Sequence, residues 1–308
     1  MRTPKLPSWS DWPYRLGCPV WACKHWGGTV YPTGAVPKNI LKWYSSWFGI
    51  SEGNSTFYGL PSIDQITRWA NESELGFEFC FKFPRVISHD KALQNCEAEL
   101  DQFLGRLQVL AEHKRLGPAF LQLGPSFSGR DFKRLESFLE RLPMEWPWAV
   151  EVRHQDWFDQ STCEAQLDQL LRSRNIDRVS FDSRPLYSLP PSDASERESQ
   201  SRKPRSPFRT TVTGSKPMVR LIGRNREDEV TGYWIEWSKI ICDWIDQGLM
   251  PYVFTHSPDD RYAPQLARKL HTLIQVEHSV RYPNCKPIGD FMDVQSMRVE
   301  TPTQQMLF

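Results

Sequence analysis

Eight polar residues of this chain fall where chemistry is most easily placed, at the downstream ends of short apolar runs. They are Glu52, Lys82, Gln122, Glu151, Arg153, Asp182, Arg220 and His256. Side chains alternate between the two faces of a strand, so each can be assigned a side. Phe48, Ile50 and Glu52 share a face. Phe77, Phe79 and Phe81 suit a helix-facing side, which turns Lys82 inward with Glu78 and Cys80. Trp148, Val150 and Val152 leave Glu151 and Arg153 inside, and Val179 and Phe181 outside leave Asp182 inside. The same rule turns Gln122, Arg220 and His256 inward.

Two accounts suit such a ring. Its acids and bases could pair into a network that fills the interior, because charges are rarely buried alone. Alternatively, Lys82, Arg153 and Arg220 clamp a phosphate or carboxylate while Glu52, Glu151 or Asp182 acts as general base. Asn54, Thr56 and Tyr58 follow Glu52 directly and add hydrogen-bonding groups and a ring, and His89, His154 and Trp157 lie just beyond other runs. Glu52 and Glu151 would also suit a glycosidase pair if their carboxylates stood at the right separation. A multi-zinc phosphodiesterase needs more histidines near the run ends than His89, His154 and His256. Cys18, Cys23 and His25 lack a second cluster to complete a zinc site, so neither metal nor cofactor is expected.

The elements that must position these residues follow from periodicity. Strand-like runs begin at Gly17, Phe48, Phe77, Ala119, Trp148, Arg178, Met218 and Pro251. Helical periods follow over about 37–47, 62–73, 97–113, 131–142, 161–174, 229–246 and 261–274. Residues 183–217 carry no helical period, are rich in Pro, Ser and Arg, and read as a mobile basic excursion. Eight strands, nearly all followed by a helix, predict an α/β fold: a single parallel (β/α)8 TIM-type barrel over 17–275. A polar leader would occupy 1–16 and a tail 276–308. An open doubly wound sheet is the alternative, and no Gly-rich loop follows the first strand in its support.

Composition narrows the function classes. The 308 residues carry a net charge of +1, which argues against a wholesale polyanion binder. No apolar run is long enough to span a bilayer, and the first ten residues lack a signal-like apolar region, so no membrane association is expected. The seven cysteines are odd in number and scattered. That pattern suits reduced thiols and a cytoplasmic location.

With these runs named, the chain resembles the YecE-like family, also called domain of unknown function 72, from about Gly17 to Ile274. The resemblance rests on Asn54-Ser-Thr-Phe-Tyr58, Phe79-Cys-Phe-Lys-Phe-Pro84 with His89, Leu121-Gln122 with Pro125 and Phe127, and Glu151-Val-Arg-His154 with Trp157. It implies a TIM-type barrel and brings no established activity; the suggestion of nucleic-acid binding is analogy of fold. The chain departs from the family pattern at Arg220-Leu-Ile-Gly223, at His256-Ser257, where an Asn pair is usual, and at Gly124, where a Pro is usual.

The last residues, Gln304-Gln-Met-Leu-Phe308, resemble the peptide by which bacterial DNA-metabolism proteins dock on the replicative sliding clamp, with Gln304, Leu307 and Phe308 as the contacts. The basic residues of the excursion, near rings such as Trp21, Trp26, Tyr58 and Trp157, would suit phosphate contact with base stacking. The leading expectation is a protein that binds or processes nucleic acid or another phosphate-bearing ligand, with hydrolysis of a phosphodiester as the chemistry. The alternatives are an enzyme acting on a sugar or sugar phosphate and a non-catalytic DNA-binding adaptor.

Overall fold

The computed structural model describes residues 12–283. Strands β1 (Arg15–Cys18), β2 (Ile50–Gly53) and β3 (Glu78–Phe81) are separated by helices α1 (Ile40–Trp47) and α2 (Ile63–Glu72). Helix α3 (Glu97–Glu112) leads to β4 (Ala119–Gln122), α4 (Phe132–Leu139) to β5 (Trp148–Glu151), and α5 (Thr162–Ser173) to the short strands β6 (Asp177–Arg178) and β7 (Ser180–Asp182). Then come α6 (Ala194–Arg202), β8 (Met218–Ile222), α7 (Thr231–Asp246), β9 (Tyr252–His256) and α8 (Ala263–Arg281). The alternation of apolar runs with amphipathic helices thus yields an α/β chain.

Every named strand pairing is parallel, in the orders β3-β2-β1-β9-β8-β7 and β4-β5-β6. Two single parallel bridges, Phe79 with Leu116 and Lys82 with Phe120, tie β3 to the segment of β4. Parallel strands need covering on both faces, and these are built from residues that tolerate it. The larger apolar cluster lies between strands and helices. A smaller one takes Ile50, Cys80, Phe120, Ala149, Val179, Met218, Tyr252 and Phe254 from the opposite face. The first two strands approach closely at Gly17, where a Cβ would sit 2.0 Å from the Ile50 carbonyl oxygen. No other residue fits there.

Four expectations change. β1 ends at Cys18 instead of continuing to Ala22, because Pro19 has no N–H for a ladder. The sixth run is interrupted at Val179, and its phase is opposite to the one alternation suggested. Val179 packs in the inner cluster, and Phe181 packs with Leu186 and Ile222. The interior here is itself lined by large apolar side chains such as Phe120 and Tyr252, so bulk did not discriminate the faces. The stretch 183–217 is not a structureless excursion: it carries α6, capped by Asp193 accepting from the Glu196 N–H at 2.8 Å. Finally, α8 continues past Ile274 to Arg281. Among the described residues, no helix is long and apolar enough to cross a membrane.

Candidate functional site

Arg220, third residue of β8, sits between two glutamates from distant strands. Its Nη2 and Nε donate to Glu52 Oε1 and Oε2 at 2.7 and 2.9 Å, and its Nη1 donates to Glu151 Oε2 at 2.6 Å. Gln122 Nε2 and Arg153 Nε donate to Glu151 Oε1 at 2.7 and 2.9 Å. Lys82 Nζ donates to Gln122 Oε1 at 2.7 Å, and His256 Nε2 lies 3.2 Å from Glu52 Oε2. Seven of the eight predicted ring members therefore form one connected network at the carboxyl ends of the strands. Guanidinium and ammonium groups also rest on rings: Lys82 Nζ lies 4.0 Å from the Phe57 centroid, and Arg220 faces Phe120 and Phe181.

Asp182 is the exception. It points away from the network, accepting from Trp237 Nε1 at 2.8 Å and from Arg184 Nη2 at 2.8 Å. The reversed phase of β7 is the cause, and it removes Asp182 from any shared proton chemistry with Glu52 and Glu151.

The electrostatics separate the acids from the amines. Burial opposes charge on Glu52, but Arg220 and His256 outweigh it and hold the carboxyl well below its usual range. All four lone-pair positions of Glu52 are taken, since Asn54 Nδ2 also donates to Oε1 at 2.7 Å. Glu151 is likewise buried, and Arg220, Arg153 and Lys82 lower it to about 2. Burial pushes Lys82 down to about 7, with Arg220 acting the same way against the pull of Glu151 and Glu52. Burial lowers His256 to about 4, although Glu52 pulls it upward. At neutral pH the carboxylates are fixed anions and the lysine is poised to exchange a proton.

Lys203, at the C-cap of α6, was not singled out by sequence reasoning and completes the group. Burial lowers it to about 8, and Arg220 and Arg153 act with burial against Glu52 and Glu151. Among the described residues its ammonium makes no hydrogen bond or ion pair. Nothing in its own stretch marks it among the other bases; only the docking of α6 brings it here. That docking is polar. Glu196, fully buried, accepts from Arg224 Nη2 at 2.6 Å, from the Asn225 N–H at 3.1 Å and from the Ser192 N–H at 2.8 Å. Asn225 Nδ2 donates to Asp193 at 2.7 Å, and the Tyr187 hydroxyl donates to the Lys203 carbonyl.

The other candidates divide. Asn54 and His89 flank the network; His89 packs edge-on to Phe57 and is lowered by burial and by Lys82. Thr56 is buried and spends its hydroxyl on the Gly53 and Lys82 carbonyls, a structural role. Tyr58 is 83% exposed. His154 caps the next turn through Nδ1, accepting from the Asp156 N–H at 3.2 Å. Trp157 and Trp26 are fully buried and cannot be the exposed stacking rings expected of them; Trp157 Nε1 donates to the Phe127 carbonyl at 2.7 Å. Several bases of the 183–217 stretch are spent internally, Arg184 on Asp182 and Glu236, Arg209 on Glu164, Arg202 on Glu198. Gln304, Leu307 and Phe308 lie outside the described residues. Among the described residues, no three His, Cys, Asp or Glu side chains converge as metal ligands.

Beside the network runs a cavity of about 560 Å³, between the loops after β1 and β2 and one face of α2. Trp21, Trp69, Glu52 and Asn54 are among the residues that line it.

Comparison with known proteins yields one family. The family described as "Protein of unknown function DUF72" matches residues 15–287. The UPF0759 protein YecE of Escherichia coli K12 is 34% identical over 258 residues, covering 84% of this chain and 90% of that protein. A DUF72 family protein from Enterococcus faecalis superposes with a TM-score of 0.66 at 17% identity, covering 85% of this chain and 95% of the other. One from Thermotoga maritima gives a TM-score of 0.65 at 22% identity, covering 86% and 99%. These structures are similar in fold.

Proposed function

The chain belongs to the DUF72 family, and from its geometry we propose that it binds a small phosphate- or carboxylate-bearing ligand at the carboxyl ends of its strands. In the same reading, the two sheets are parts of one closed (β/α)8 barrel. The bridges between β3 and β4, the continuity of β6 into β7 through Val179, and the inner cluster that takes residues from six strands support closure.

One observation carries the ligand reading. Lys82, Arg153 and Lys203 present donors with no protein partner above Arg220, Glu52 and Glu151, whose charges sum to −1, so the protonated group as a whole is left cationic. Arg153 commits only Nε to Glu151, Lys82 gives a single hydrogen bond, and Lys203 gives none among the described residues. Three cations converging where protein acceptors are already satisfied form a receptor for an anion. The role of Glu52 and Glu151 is to hold Arg220 and Arg153 in place; carboxylates held this low are poor bases. Should the ligand react, Lys82 is the group suited to carry the proton. Three of the seven bases of the 183–217 stretch, Arg184, Arg202 and Arg209, are ion-paired within the chain, which leaves fewer of them to track a polynucleotide backbone and favours a small ligand.

Isothermal titration tests this with inorganic phosphate, ribose 5-phosphate and a single-stranded oligonucleotide, each at low and high salt. Saturable binding of a small anion is expected, weakened about tenfold or more in Arg153→Ala and Lys203→Ala. Absence of saturable binding by either small anion, or affinity untouched by both substitutions, overturns it. Oligonucleotide binding that falls steeply with salt while small anions fail would replace it with a nucleic-acid ligand.

A further inference from the structure

We infer that the cavity beside Glu52 is a subsite for a flat heteroaromatic ring, the base of a nucleoside phosphate whose anionic end lies on the cationic group. This deepens the anion reading and rests on it.

The cavity walls are apolar and angular. Trp21 and Trp69 meet edge to face, with centroids 5.0 Å apart and planes at 73°, and Leu60 and Pro61 extend the lining. Phe79 fills one side of this pair from the core, 5.8 Å from Trp21 and 6.3 Å from Trp69, so a planar ring is left the side that lines the cavity, on one indole face with its edge against the other. A volume of about 560 Å³ has room for one such ring.

Polar groups sit where a base edge would need them. Asn54 spends both N–H groups on Glu52 Oε1 and the Pro19 carbonyl, at 2.7 and 3.2 Å, which fixes its amide. Among the described residues its carbonyl oxygen accepts no hydrogen bond, and the Ser55 hydroxyl and Gln65 amide that also line the cavity are uncommitted. A fixed amide acceptor beside an adjustable amide and a hydroxyl reads ring nitrogens and exocyclic groups, and every base has a face for the indole.

Continuity with the anion group is direct. Glu52 lines the cavity and is held by Arg220, so the ring corner and the cationic cluster share one side chain as their boundary. A ligand covering both is anionic at one end and flat at the other.

Gly59 supplies the test, because it lines the cavity and a Cβ built there meets nothing within 4 Å. A side chain added there starts in open space, and Gly59→Phe is expected to crowd the corner, with a thermal melt equal to that of the unchanged protein to verify that the fold is kept. The full chain is titrated with AMP, UMP, adenosine and ribose 5-phosphate. At least one nucleotide is expected to bind about tenfold more tightly than ribose 5-phosphate, and Gly59→Phe and Trp21→Ala are expected to erase that advantage while leaving ribose 5-phosphate affinity unchanged. Equal affinity for nucleotides and ribose 5-phosphate overturns the subsite and leaves the anion reading standing. A Gly59-sensitive ribose 5-phosphate affinity also overturns it, since a sugar then fills the corner. Gly59-sensitive binding of adenosine, with no gain from the phosphate of AMP, keeps the ring corner and sinks the anion reading.

Discussion

Lys82 has almost the whole of its side chain out of water, one hydrogen bond to Gln122, and two guanidinium groups as neighbours. Such a group costs stability where it stands. An unfolded chain protonates it near pH 10.4, whereas the folded chain holds it down at about 7, burial first and Arg220 second. Between those pH values the unfolded state binds a proton that the native state does not, so stability rises with pH through that window. Lys82→Met is therefore expected to be more stable than the unchanged protein at pH 7, by about 1–3 kcal/mol, with the gain shrinking toward pH 10. Urea unfolding at pH 6, 7, 8 and 9 measures it; a destabilised Lys82→Met at pH 7 would show the ammonium to be well satisfied in place. Glu151 acts in a separate window. Its folded value near 2 lies below the unfolded one, so the stability it contributes is complete above the unfolded value of about 4.3 and is lost as pH falls toward 2. Stability that is lower with Lys82 than without it is the mark of a residue retained for what it binds.

At the scale of elements, α6 has an unusual basis. Its residues Ala194–Arg202 offer hardly any apolar stripe, and periodicity alone assigns the stretch to irregular chain. What orders it is an Asp at the N-cap and a glutamate at the third position, Glu196, that is completely buried against Arg224, itself 1% exposed. Asp193-Ala-Ser-Glu196 was visible as a string, but a cap pattern without an apolar run behind it does not announce a docked helix. The partner that makes it one lies on the far side of the next strand, at Arg224. Glu196→Ala should strip that guanidinium of its fully buried partner and leave it on Glu229 and the Leu189 and Pro190 carbonyls, at a cost of about 1–3 kcal/mol. The loss should be local, because the stretch around α6 is tied down mainly by this polar cluster. Hydrogen exchange is expected to speed up over 194–202 while the strands keep their protection, and affinity for the small anion should fall with the displacement of Lys203. Unchanged exchange over 194–202 would mean that the other anchors, Asn225 on Asp193 and Tyr187 on the Lys203 carbonyl, suffice alone.

For the whole molecule, local alternation carried a great deal. The order of strands and helices, and the inward direction of Glu52, Lys82, Gln122, Glu151, Arg153, Arg220 and His256, depend on a period of two within runs of a few residues, and that is legible without knowing any partner. Asp182 escaped because the interior is as apolar as the helix-facing layer at that height, so Phe181 fitted both. Lys203 and the Trp21–Trp69 corner escaped for a different reason: each exists only once segments far apart in sequence have packed. The proposed closure of the strands into a ring would belong to this same class. Two junctions decide it, β3 to β4 and β6 into β7. The first is held by the Phe79 N–H on the Arg115 carbonyl at 2.8 Å, the Gly117 N–H on Phe79 at 3.0 Å and the Phe83 N–H on Phe120 at 3.0 Å, and the second by the Val179 N–H on Val150 at 2.9 Å. If the barrel is closed, these four amides are sheet interior, not edge, and exchange only through global opening. Their protection measured by NMR is then expected to match that of central amides such as Ser51 and Val219, and to fall with added denaturant at the same slope as global unfolding. Exchange faster by orders of magnitude at Phe79, Phe83 and Gly117, with Ser51 still protected, would describe a sheet that opens between β3 and β4. Because Lys82 directly follows β3 and Gln122 ends β4, such an opening would also part the hydrogen bond that joins Lys82 to the rest of the cationic group.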